Sequence, residues 1–162
     1  MQDVVLSLHA MNLNYTQRLV ADVPDDQMCA QPVPGRVMNH GAFLLGHLAW
    51  VCDSIASLIS GTPPRLAEWK ETHGMGTIPV VDRSCYRSKE ELLSTFADAH
   101  ARLADAYTKA SPEVLARPAP ERMRARFPSV AHVAVTMMTS HGALHNGQMS
   151  AWRRAMGWPR IT

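Results

Sequence analysis

Apolar side chains return every three or four positions in four stretches of the chain. Almost nowhere do they alternate at the period of two that a half-buried strand requires. The pattern predicts an all-α fold. The first stripe is Val4, Leu8, Met11, Tyr15 and Leu19, stopping where Pro24, Asp25 and Asp26 break the period. The second, Leu44, Leu48, Val51, Ile55 and Leu58, predicts a helix over about 38–60, closed by Gly61, Pro63 and Pro64. The third opens at Ser88-Lys89-Glu90-Glu91, a capping box in which hydroxyl and carboxylate each satisfy an orphaned amide. It carries Leu92, Phe96, Ala99, Leu103 and Ala106 before Ser111-Pro112 ends it. The fourth begins near Pro128, suited to a first helical turn. Its stripe is Val130, Ala134, Met137, His141, Leu144, Gln148 and Trp152, ended by Gly157 and Pro159.

Four helices of roughly 17–28 residues, about 25–40 Å long at helical rise, have the dimensions of a four-helix bundle. A chain of 162 residues fits one such domain over its whole length, 1–162. Residues 61–87 show no sustained period. A connection of that length is expected to cover one end of the bundle, with Trp69 and His73 as possible wall residues of a site.

Composition narrows the function classes. With 46% hydrophobic and 19% charged residues the chain is globular rather than disordered. A net charge of +2 is too small to imply a polyanionic partner. Arg122, Arg124, Arg126, Arg153, Arg154 and Arg160 follow the last acid, Glu121, but they lack the dense stripe of a nucleic-acid binder and read as a solvated face. Cys29, Cys52 and Cys85 are odd in number and widely spaced, which suits reduced thiols in a cytoplasmic protein. The N-terminal residues carry no basic region ahead of an apolar one, so neither export nor membrane insertion is expected.

The fourth stripe holds the chemistry. Two of its core positions, His141 and Gln148, are polar, with His145 at its edge. A buried polar group without a partner costs on the order of 1–3 kcal/mol, so the three are expected to satisfy one another or a shared ligand. Positions 141 and 145 lie about 40° apart around a helix and one turn along it, so both imidazoles reach one point. Gln148 shares that face and can hydrogen-bond a ring or a ligand. In the second helix His47 sits about 60° off the apolar stripe and can look into the bundle. His40, about 10 Å earlier along the axis, is a candidate substrate or supporting group. His9, His100 and His132 read as ordinary helix residues, and the ten methionines as core filler rather than copper ligands.

The segment Pro34-Gly35-Arg36-Val37-Met38-Asn39-His40-Gly41-Ala42-Phe43-Leu44-Leu45-Gly46-His47-Leu48-Ala49-Trp50 resembles the second-helix signature of the DinB/YfiT-like superfamily. His141-Gly142-Ala143-Leu144-His145-Asn146-Gly147-Gln148, followed by Arg153-Arg154-Ala155-Met156-Gly157, resembles its fourth-helix signature. The resemblance implies a four-helix bundle, often a homodimer, with a divalent metal held by His47, His141 and His145. Some members it resembles are thiol-dependent transferases and others are linked to stress or to metal-dependent hydrolysis. Asn146 departs from the residue usual after the last ligand.

Three neutral imidazoles leave a divalent ion, zinc or nickel, its full charge and an open position, as in catalytic zinc sites. Water or a thiol entering there would be acidified. No carboxylate lies on the fourth helix, and Asp53 is turned away, so no general base is evident. The expectation is thiol activation on a small-molecule substrate, with hydrolysis or a non-catalytic, stress-associated metal-binding dimer as the alternatives.

Overall fold

A computed structural model describes residues 2–161. They form helices and turns, with no strand among the described residues beyond one isolated bridge between Pro118 and Ser129. Four long helical runs dominate: α1, Gln2–Val20; α2, Gly41–Ser60; α3, Lys89–Lys109; and α4, residues 130–155. Short helices at Lys70–His73 and Pro112–Ala116 and several 3-10 turns lie between them. The expected all-α class holds, with more helical segments than four.

Helix α2 packs most extensively on α3 and also meets α4, while α1 meets α3 and α4. The order around the core is therefore α1, α3, α2, α4. Leu19, Leu44, Leu45, Leu92, Phe96, Leu103, Met138, Met149 and Trp152 fill it, each with under 2% exposure. By length and composition α2 could cross a membrane, but 78% of that stretch is buried by its own neighbours. Its apolarity is that of a core helix.

Helix α2 starts at Gly41 rather than near 38 because His40 caps it. The His40 backbone is extended (φ −108°, ψ 171°), and its Nδ1 accepts the Phe43 amide at 3.3 Å. At the other end Gly61 takes the left-handed conformation, φ 76°, that a side chain disfavours. In α3 the Ser88 hydroxyl oxygen accepts the Glu91 amide as expected, at 3.2 Å. The Glu91 carboxylate turns to the Ser88 hydroxyl, and Asp25 takes the Lys89 amide.

Two buried faces differ from the sequence pattern. On α1 the buried residues are Val5, His9, Thr16, Leu19 and Val20, while Val4, Leu8 and Met11 are 58%, 42% and 63% exposed. The polar members of the inner face are partnered: Thr16 Oγ1 donates to Asn12 O at 2.7 Å, and Asn12 Nδ2 donates to Thr139 O at 2.9 Å. On α4 the predicted positions 137, 141, 144 and 148 give way to Met138, Gly142, His145 and Met149, each one residue later. A π-helical turn at Met137–His141, which accommodates one extra residue, falls within this stretch, and Trp152 past it is buried as expected. Leu144, expected in the core, is 60% exposed.

Two ion pairs, each with one buried partner, fix the ends. Arg153, expected on a solvated face, is 1% exposed; its guanidinium grips the Asp22 carboxylate and donates to Leu19 O at 3.0 Å, tying α4 to the end of α1. Asp53 is 1% exposed and pairs with Arg102 of α3. Its Oδ2 accepts the amides of Arg65 and Leu66 at 2.7 and 2.9 Å, anchoring the start of the 61–87 connection. Asp53→Asn leaves the half-buried Arg102 charge without its partner. It is expected to lower unfolding free energy by about 3–5 kcal/mol in urea titration; a loss under about 1 kcal/mol would contradict this role.

Candidate metal centre

His47 of α2 meets His141 and His145 of α4 in the core between those helices. His141 Nε2 lies 3.4 Å from His47 Nε2 and 3.1 Å from His145 Nε2. The ring centroids of His47 stand 5.3 and 4.7 Å from those of His141 and His145. Around a tetrahedral zinc with Zn–N bonds of about 2.0–2.1 Å, ligand nitrogens stand about 3.3–3.4 Å apart. The two separations from His141 are close to that spacing, and all three donor atoms lie within 4.8 Å of one another.

Neighbouring groups set which nitrogen of each ring faces inward. His47 Nδ1 lies 2.7 Å from the carbonyl oxygen of His73, which can only accept, so Nδ1 carries the proton and Nε2 its lone pair. His145 Nδ1 donates to Gln148 Oε1 at 2.9 Å, and that oxygen also accepts Asn39 Nδ2 at 2.9 Å. This is the outer hydrogen bonding that orients metal-binding histidines. His141 Nδ1 is buried without a partner, one of two such side-chain atoms among the described residues.

A family model described as the DinB superfamily matches residues 9–149. The chain belongs to the DinB superfamily. No curated protein matches the sequence. The matched span contains all three histidines together with Gln148, so the site of this DinB-superfamily chain lies inside the part that defines its family.

The 61–87 connection does more than cover an end. Its short helix Lys70–His73 lies on α2, and both Trp69 and His73 are buried. The His73 ring sits against Gly46, where an added Cβ would come within 2.1 Å of it. His73 Nδ1 donates to Phe43 O at 3.3 Å, which holds the residue where its own carbonyl meets His47. Trp69 touches the His73 ring at 5.1 Å between centroids rather than lining an open wall.

Of the other residues singled out in the sequence, Gln148 supports His145 as described. His40 is spent elsewhere: its Nε2 donates to Val80 O at 2.9 Å and its Nδ1 caps α2. Its ring contacts Tyr86, so it ties the connection to the start of α2 instead of touching the three rings. Missed by sequence reasoning were the His73 carbonyl and Asn39. A main-chain acceptor carries no residue signal, and Asn39 stood unnoticed among loop residues. Asp53 is consumed by Arg102 and backbone amides. No hydrogen bond or ion pair joins an acidic side chain to the three histidines among the described residues.

Burial, and then the mutual proximity of the rings, hold these histidines neutral. His141 is pushed down to about 3 and His145 to about 4, while burial likewise lowers His47. His73 falls to about 4, chiefly through burial. Neutral imidazoles are the ligating form. Unfolded histidines titrate near about 6.5, so below that pH the unfolded chain binds more protons than the folded one. This contribution to stability is complete above pH 6.5 and is lost as pH falls toward the folded values of about 4 and 3. Melting of chelator-treated protein is expected to show a steady fall in Tm from pH 6.5 downward; a Tm unchanged to pH 4.5 would contradict it. Gly46→Ala, which displaces the His73 ring and its carbonyl, is expected to weaken zinc binding about 10–100-fold with all three ligands intact. Calorimetric titration reads this directly, and unaltered affinity would contradict the assigned role of His73.

Proposed function

We propose that this protein is a metal-dependent enzyme in which His47, His141 and His145 hold one divalent ion, zinc or nickel, that activates a low-molecular-weight thiol for transfer to an electrophilic small molecule. The observation that carries this reading is the convergence of three Nε2 atoms at 3.1 and 3.4 Å, with two of the rings oriented by outer hydrogen bonds. The unpartnered Nδ1 of His141 fits the same reading, since the residue is placed for its other nitrogen. The four long helices then act as the four-helix bundle that brings two segments of chain to one ion.

A bound divalent cation supplies Lewis acidity and favours the anionic form of a thiol or water beside it. The protein's own residues do the positioning. His73 and Gln148 keep His47 and His145 in the Nδ1-protonated tautomer, and Asn39 holds the Gln148 oxygen. An all-neutral ligand set leaves the full charge of the ion available to an entering anion. Thiol activation is favoured over hydrolysis because water attack gains from a general base, and the nearest acid on α2, Asp53, is paired with Arg102. The three cysteines are unpaired, which suits a reducing compartment where small thiols are abundant.

A homodimer is part of the proposal. The uncovered apolar row Val4, Leu8 and Met11 on α1 is the face we assign to a second copy of the chain.

His141→Ala is expected to lose both the bound ion and thiol transfer, the latter by at least about 100-fold, measured by elemental analysis and by turnover with a panel of thiols and electrophiles. Undiminished transfer after metal removal would overturn the mechanism. Metal retained at one ion per chain without any turnover would support instead a non-catalytic metal-binding protein.

A further inference from the structure

A second group of metal-ligating side chains lies apart from the first. His9 of α1, Cys52 of α2 and His100 of α3 each offer one donor atom, and the three atoms lie within 4.8 Å of one another. The three residues are 3%, 3% and 4% exposed. Their surroundings are apolar: Phe96 meets the His100 ring edge-on at 4.6 Å between centroids.

Two imidazoles and a thiol in such a place are costly unless satisfied, and here they are satisfied only in part. His100 Nδ1 is buried without a hydrogen-bond partner; the other orphaned side-chain atom among the described residues belongs to the His47, His141, His145 group. His9 faces two carbonyl oxygens, Met138 O at 3.4 Å and His100 O at 3.2 Å. A neutral imidazole has one N–H, so it can donate to only one of them. Burial, and then the neighbouring His9, push His100 down to about 2, so protonation does not resolve the shortage.

We propose that His9, Cys52 and His100 form a second cation site, specific for one soft ion, Cu(I). One sulfur and two imidazole nitrogens are the donors such an ion prefers, and thiolate softness selects it. Charge decides between Cu(I) and Zn(II). As the copper–sulfur bond forms, the Cys52 thiol gives its proton to solvent, and Cu⁺ with thiolate is neutral inside the core. Zn²⁺ with the same three ligands would leave a net positive charge there and lack the fourth ligand of a closed structural site. No electron is transferred. The His9 and His100 rings are stacked at 3.8 Å between centroids and 9° from parallel, so their in-plane lone pairs run side by side. His100, with Nδ1 unengaged, turns to meet the ion, and the His9 nitrogen that joins it gives up its carbonyl contact, which one neutral N–H cannot make at both nitrogens anyway.

The test uses protein carrying Cys85→Ser, which removes the exposed thiol, loaded first with zinc at the His47 site. Anaerobic Cu(I) titration against the chelator bicinchoninate is expected to leave one copper per chain. His141→Ala in the same background keeps it; Cys52→Ala and His100→Phe lower copper affinity at least 100-fold. Because a core variant can unfold, copper X-ray absorption of the otherwise unaltered Cys85→Ser protein gives an independent reading, expected to show one sulfur and two nitrogens. No retained copper, full retention by folded Cys52→Ala, two or more sulfurs per copper, or zinc held in preference to copper would each overturn the proposal.

Discussion

Lone pairs that face one another away from water repel, and the repulsion is relieved by a shared proton or by a cation between them. His47, His141 and His145 place their Nε2 atoms in that relation, and much of the surrounding structure keeps them there. A rotation of either outer ring would release the crowding, but the His73 carbonyl and the Gln148 side chain oppose it. Those hydrogen bonds aim the Nε2 lone pairs of His47 and His145 at His141, whose Nδ1 is unpartnered, so either the single Nε2–H of His141 or a cation can meet them.

That constraint reaches well beyond the rings. The His73 carbonyl is in place because its side chain lies over Gly46, where no Cβ can be accommodated. The same connection is pinned by Asp53 at its beginning and by the His40, Val80 and Tyr86 contacts near its end, where the Val80 amide donates to Tyr86 Oη at 2.8 Å. On α4 the π turn ends at His141 itself. It leaves Met138 O and Thr139 O able to receive Asn12 of α1, at 3.2 and 2.9 Å. A wide turn that would be a weakness in an isolated helix is thereby held by a neighbour, as is common where π turns adjoin functional residues.

The helix count of the long runs, the C-terminal end of α2, both ends of α3 and the three convergent histidines were legible because each rests on local signals: period, caps and H-x-x-x-H spacing. The inner face of α1 was not. Val4, Leu8 and Met11 are more hydrophobic than His9, Asn12 and Thr16, yet the polar set goes inside because every member finds a partner on another helix. The π turn was equally hidden, since no residue type announces it, and in the stretch from 138 to 149 the buried positions fall one residue later than the pattern gives. His9, Cys52 and His100 come from three helices and have no common spacing; only tertiary packing brings them together. Membership in the DinB superfamily was readable because it rests on contiguous residues of α2 and α4.

The site's chemistry follows from its neutrality. Three uncharged ligands, no paired acid and outer hydrogen bonds that fix tautomers describe a place where an ion keeps its charge for whatever enters beside it. The most direct measurement is an anomalous difference map from crystals grown with zinc, collected on both sides of the zinc edge. One peak about 2.0–2.1 Å from Nε2 of His47, His141 and His145 is the predicted result. A map with no peak among the three rings, or a zinc bound by fewer than three of them, would contradict it.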